Sequence, residues 1–358
     1  MATLLDYIAW RGDLSFANVP FNPVDGLILS QFAYVALDGL APRRSEESRP
    51  LAETVNDLFA NGQHLSQASH LWENNERLAR AMAQAPRFSN LELTCCVSHT
   101  SLEEQTQFAA LTYLLPDGTA VMAFRGTDDT LVGWKEDFNM TFDSPVPAQT
   151  FAAAYLQSVA EKISRPLRLM GHSKGGNLAV YATACAEPAL QDRIISLINY
   201  DGPGMAQHIW EQPGYQRIRD RITIYLPHFA VVGMLMEHED SYHLVRSQAQ
   251  SIMQHDPFSW QLMGDHFETT DSPSTVSLTA ARVAKAWLDT LTPQQRRLFV
   301  DTVYDIITAG GDEKLSQFDF NSLRAVIRKT RSLDGETRAA FHQTLMELFA
   351  TVIKHLWK

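Results

Sequence analysis

The chain has 358 residues, 45% of them hydrophobic and 20% charged, which suits one large globular domain or a domain with an appendage. Its formal net charge is -11, from 30 Lys+Arg against 41 Asp+Glu, with no basic cluster, so nucleic acid and anionic membrane surfaces are poor partners. Three cysteines (Cys95, Cys96 and Cys185) supply neither a disulfide framework nor metal-ligand spacing.

The N-terminus, from Met1 to Tyr7, lacks a basic region followed by a long apolar run, so no signal peptide is expected. No stretch approaches about 18 uninterrupted apolar residues, so no transmembrane helix is expected, and the expected location is the cytoplasm. Residues 6–13 and 20–25 carry turn and cap chemistry, and the apolar run 26–37 predicts a helix packed on a sheet. Residues 42–50 read as an exposed loop, and 53–85 as helix in two or three pieces. Strands are predicted over 91–97, 109–115 and 120–124, the last two joined into a hairpin at Pro116-Asp117-Gly118. Phe151, Ala154, Tyr155, Val159 and Ile163 share one helical face, predicting a helix over 148–163. A strand at 167–170, a helix at 176–187, and strands at 194–200 and 221–226 follow. This alternation predicts an α/β protein with a mostly parallel sheet covered on both faces.

From about residue 275 the character changes. Segments 276–291, 293–309, 319–332 and 335–357 are amphipathic at helical period and carry no cluster of chemically active residues. The expected division is 1–270 and a helical C-terminal region, 271–358, packed on it. Those helices either complete the fold or offer a surface for a second copy of the chain.

Chemistry concentrates at Gly171-His172-Ser173-Lys174-Gly175, a G-x-S-x-G pattern between the predicted strand at 167–170 and the predicted helix at 176–187. In that setting the chain turns sharply at serine, and glycines on either side leave room for neighbouring backbone. A serine hydroxyl needs a base to take its proton, usually histidine, and a carboxylate to orient that histidine. Downstream, Asp201 ends the strand after the 176–187 helix and is the favoured acid, against the alternative that it caps Gly202-Pro203-Gly204. Glu237, Glu239 and Asp240 are fallbacks. His255, in a polar loop before Pro257, is the favoured base among His208, His228, His238, His243, His255 and His266, with His243 and His238 next. Asp256 reads as structural. The oxyanion hole is expected from the backbone N–H of Lys174 and from the Arg125-Gly126-Thr127-Asp128 loop, where Thr127 offers its hydroxyl as well. An Arg125–Asp137 pair is expected to hold that loop. Residues 231–236 read either as the lining of an acyl pocket or as a buried helix. No H-E-x-x-H, paired C-x-x-C, P-loop or G-x-G-x-x-G after a strand occurs, so neither a metal nor another cofactor is expected.

Ala123-Phe124-Arg125-Gly126-Thr127, with Trp134 and Asp137 downstream and the Gly171–Gly175 pentapeptide after it, resembles the lipase class 3 group of α/β-hydrolases. A related bacterial lipase-like family is more similar still. The pattern spans Asp6-Tyr7, Trp10-Arg11-Gly12-Asp13, Pro20-Phe21-Asn22, Asp25, Asn199-Tyr200-Asp201-Gly202-Pro203-Gly204, Val232-Gly233-Met234-Leu235 and Gln254-His255-Asp256 with Trp260. The resemblance implies an α/β-hydrolase fold, Ser173 as nucleophile and an oxyanion role near Thr127. The chain departs from lipase class 3 after the 221–226 strand: the lipases carry an aspartate before a Val-Pro pair, where this chain reads Phe229-Ala230-Val231-Val232-Gly233. The expected activity is hydrolysis of a small-molecule or lipid acyl ester. The competing expectations are an inactive hydrolase-fold scaffold, and a thioesterase or amidase using the same residues.

Overall fold

A computed structural model describes residues 1–60, 70–236, 241–314, 317 and 319–356. Its strands are β1 (Arg49–Pro50), β2 (Glu92–Ser101), β3 (Thr106–Leu114), β4 (Ala120–Phe124), β5 (Leu167–His172), β6 (Ile194–Tyr200), β7 (Ile222–Pro227), β8 (His243–Val245), β9 (Leu262–Met263), β10 (His266–Phe267) and β11 (Thr269–Thr270). One sheet runs in the order β1-β2-β3-β4-β5-β6-β7-β8-β11, and β9 and β10 pair separately. The block β4 to β8 is parallel. The strands outside it pair antiparallel, so the sheet is mixed with a parallel centre.

Period-two alternation distributes the core. Val121 and Ala123 of β4, Met170 of β5, and Ile198 and Tyr200 of β6 pack on one face. Ala120, Met122, Phe124, Leu167, Leu169, Ile194 and Leu197 pack on the other. Strands buried on both sides read as continuous apolar runs, which is why the sequence exposed them. The first face is covered by α1 (Leu4–Arg11), α2 (Pro23–Phe32), α3 (Leu51–Phe59) and α4 (His70–Gln84). The second is covered by α6 (Pro147–Lys162) and α7 (Lys174–Ala184), with α5 (Leu131–Met140) at the edge near β3. Short helices α8 (Pro188–Gln191), α9 (Gln207–Trp210) and α10 (Pro213–Ile218) link the later strands. This is an α/β-hydrolase fold.

Helix α2 starts earlier than the apolar run alone suggests. Asn22 accepts from the amides of Val24 and Asp25, Asp25 accepts from the Asn22 amide, and Pro23 occupies the first turn. Asp25 also joins the fully buried Arg87, whose five N–H groups all find acceptors: Asp25 twice, and the carbonyls of Leu14, Val19 and Pro20. That cluster explains the N-terminal Asn and Asp motif as architecture.

The last helices are α11 (Thr275–Thr290), α12 (Pro293–Ile307), α13 (Phe320–Ser332) and α14 (Gly335–Leu356). Thr292 and Gln295 form a reciprocal cap at the start of α12, with Pro293 behind it. Helix α12 and the segment after it reach α5: Lys135 pairs with Asp301 at 2.6 Å, and the Leu131 amide donates to the Glu313 carbonyl.

Candidate functional site

Strand β5 ends at His172 and α7 begins at Lys174, so Ser173 alone makes the turn, at φ 57° and ψ -136°. That left-handed backbone costs about 1–3 kcal/mol for a residue with a side chain. The surroundings hold it: the Ser173 amide donates to the Tyr200 carbonyl, and the Gly176 amide donates to the Ser173 carbonyl, both at 2.9 Å. The flanking glycines are obligatory by space. A Cβ on Gly171 would lie 2.3 Å from the Gly175 carbonyl carbon, and one on Gly175 would lie 2.0 Å from the Phe124 oxygen.

Two loops converge on Ser173. Asp201 follows β6 with φ 49°, its amide donating to the Tyr225 carbonyl. The Gly202-Pro203-Gly204 turn does not use the Asp201 side chain. Asn199 holds the Gly202 amide and carbonyl, and Asn177 donates to the carbonyls of Pro203 and Gly204. Asp201 is left to accept from the Gly233 amide at 3.1 Å and from His255 Nδ1 at 2.6 Å. His255 ends a 3-10 turn, Ser251–His255. Gln254 beside it accepts from the Phe229 amide and, through its carbonyl, from the buried Trp260 indole. Asp256 caps the next turn by accepting from the Phe258 amide.

With Nδ1–H committed to the carboxylate, His255 Nε2 is bare and accepts from the Ser173 hydroxyl at 3.0 Å. Burial depresses the His255 imidazole, but the charge and hydrogen bond of Asp201 outweigh it, and the net shift is upward. Ser173, His255 and Asp201, the favoured sequence candidates, thus lie on one line of hydrogen bonds. His243 instead stacks on Tyr225, His228 bonds the Ser272 carbonyl, and His266 pairs with Asp265. Glu237, His238, Glu239 and Asp240 lie outside the described residues.

Beneath the turn lies a charge cluster that sequence reasoning missed. The Lys174 side chain, 1% exposed, donates to Glu136 Oε2 at 2.8 Å, to the Gln107 carbonyl and to Gln107 Oε1. Glu136, 0% exposed, also accepts from Thr106 Oγ1 and from the amides of Gln107 and Ala148. Lys174 Nζ further lies 3.7 Å from Asp137. The only hint in the sequence was a lysine inside the pentapeptide, followed by an apolar helix.

Three expectations change here. The Thr127 hydroxyl donates to both Asp137 oxygens at 2.7 Å, so its proton faces away from the role foreseen for it. Arg125 pairs with Asp128 at 3.3 Å, not with Asp137. Residues 231–236 do not form a buried helix. Val232–Met234 is a 3-10 turn that delivers the Gly233 amide to Asp201, while Met234 packs near Ile224, Leu226 and Leu244. Burial lifts the Asp137 carboxyl to about 6 against the opposing pull of Lys174 and Thr127.

A strand–serine–helix turn facing a histidine and a carboxylate on an α/β-hydrolase fold places the molecule among lipase-like proteins. The chain belongs to the family described as Mbeg1-like, whose model matches residues 82–305. No curated protein matches the chain. Among solved structures it is similar to one titled "Crystal structure of M37 lipase", at 15% identity over 60% of this chain and 70% of that one, with a TM-score of 0.38. No described helix is long and apolar enough to cross a membrane.

Proposed function

We propose that the protein is a serine hydrolase that cleaves acyl esters through Ser173, His255 and Asp201. The observation that carries this reading is the continuous line Ser173 Oγ, His255 Nε2, His255 Nδ1, Asp201 Oδ2, with contacts of 3.0 and 2.6 Å. Ser173 Oγ attacks the ester carbonyl carbon while His255 Nε2 takes its proton, and Asp201 stabilises the imidazolium. The tetrahedral oxyanion is met by the Lys174 N–H, one of the first amides of α7 and hence without an acceptor inside the helix, and by the backbone N–H of Thr127. The Thr127 hydroxyl serves Asp137 and fixes the loop. Collapse expels the alcohol, protonated by His255, and leaves an acyl-Ser173 ester. Water then attacks, His255 takes its proton, and the carboxylic acid departs. The substrate class is a small-molecule or lipid acyl ester.

Hydrolysis of p-nitrophenyl esters from acetate upward tests the reading. Wild type turns over at least one member of the series. Ser173→Ala and His255→Ala lose about 10⁶-fold, and Asp201→Asn about 10⁴-fold. Full activity in Ser173→Ala would falsify it. Retained activity in Asp201→Asn alone would move the acid to Glu237, Glu239 or Asp240.

A further inference from the structure

The mechanism above leaves two buried groups beside the line of hydrogen bonds unused: His172, immediately before Ser173, and Tyr34, just beyond α2. The His172 ring lies 4.7 Å from the His255 ring, its Nε2 is 2.9 Å from the His255 carbonyl, and its Nδ1 is 3.4 Å from the Tyr34 hydroxyl. A carbonyl oxygen only accepts, so the proton sits on His172 Nε2. In a neutral ring Nδ1 is then bare, and the Tyr34 hydroxyl donates to it. Tyr34 in turn fills the space over Gly126, where a Cβ would lie 2.3 Å from the phenol oxygen and 2.6 Å from the His172 carbonyl.

We propose that His172 and Tyr34 are positioning residues: a directional pair of hydrogen bonds, Tyr34 to His172 to the His255 carbonyl, fixes the base against the serine turn and seats the Gly126 loop on the same support. The inference rests on the reading of Ser173 and His255 as nucleophile and base. Its physical content is proximity. The residue adjacent to the nucleophile grips the backbone of the base, so errors in the long excursion between residues 173 and 255 do not reach the Ser173–His255 contact. Burial and the neighbouring His255 imidazole hold His172 well below the ordinary histidine range. A neutral His172 is what the chemistry requires, because a second cation at 4.7 Å would oppose formation of the His255 imidazolium. His172 does not touch substrate in this scheme.

The test combines imidazole NMR on the full-length protein with ester hydrolysis, in wild type, Tyr34→Phe, His172→Gln and His172→Met. In wild type, His172 is expected neutral with its proton on Nε2 across pH 5.5–8, a range chosen to bracket ordinary histidine titration. The Nδ1–H of His255 is expected as a sharp low-field resonance. His172→Gln keeps a donor for the His255 carbonyl, keeps that resonance and stays within a few-fold of wild-type kcat. His172→Met broadens the resonance and lowers kcat about tenfold with little change in KM. Tyr34→Phe, which removes only the hydroxyl, shifts the His172 Nδ1 signal and covers the case in which the Met variant does not fold. A proton on His172 Nδ1, or equal behaviour of the Gln and Met variants, overturns the proposal. If no ester is hydrolysed while the NMR pattern holds, the hydrolase reading fails and the positioning of His255 stands.

Discussion

Glu136 offers the sharpest stability prediction. It accepts four hydrogen bonds, from Thr106 Oγ1, the Gln107 and Ala148 amides, and Lys174 Nζ, at 2.8 to 3.0 Å. Glu136→Met removes the counter-charge of a buried ammonium, which costs about 3–5 kcal/mol. It also orphans two backbone amides and a hydroxyl, each worth about 1–3 kcal/mol when unmade. These contributions overlap, and Asp137 at 3.7 Å offers Lys174 a second partner, so the net expectation is about 4 kcal/mol. Lys174→Met is milder, about 2–3 kcal/mol, because the carboxylate keeps its three neutral donors. The double variant should cost less than the sum of the two, by about 1–3 kcal/mol. Urea unfolding followed by tryptophan fluorescence measures all three. A Glu136→Met variant within about 1 kcal/mol of wild type, or strict additivity in the double variant, would show that Glu136 is not the counter-charge that holds Lys174.

Four further outcomes are expected. Arg87→Met leaves Asp25 without its counter-charge in the core and strands three carbonyls, so unfolding free energy falls by about 3–5 kcal/mol in the same urea experiment. Gly126→Ala forces its new methyl against Tyr34 Oη and the His172 carbonyl, so esterase activity falls by about 10²-fold while circular dichroism stays native. The His255 imidazole, raised above its ordinary 6.5, must lose its proton to act as base, so kcat/KM rises with pH through a value above 6.5. In Asp201→Asn the supporting charge is gone, and an NMR titration should find the His255 value lowered; an unchanged value contradicts the pairing.

The serine turn was legible because its chemistry is local: two glycines at fixed offsets, an apolar strand before and a helix after. Asp201 was legible because a strand end next to the nucleophile strand faces the same crevice. His255 was legible for another reason, a polar pair followed by Pro257, which marks a loop. The central strands were legible because both faces are buried. The three-residue β8 and two-residue β11 were not, since so few residues carry no period. The direction of the edge strands was equally hidden, and the alternation of strands with helices suggested more parallel pairing than the mixed sheet has. Glu136, Gln107, Arg87, His172 and Tyr34 escaped for one shared reason. Each acts through a partner 38 to 138 positions away, as Glu136 does on Lys174 and Tyr34 on His172, and no spacing rule spans such distances. The Thr127 hydroxyl was misassigned because its competitor, Asp137, sits on a helix that was not foreseen.

Covalent labelling with a fluorophosphonate, followed by mass spectrometry of the labelled peptide, reads directly whether Ser173 is an activated nucleophile. A single phosphonylated residue, Ser173, is expected, with labelling abolished in Ser173→Ala and strongly slowed in His255→Ala. Folded wild type that takes up no probe, or a label that persists in Ser173→Ala, would contradict it.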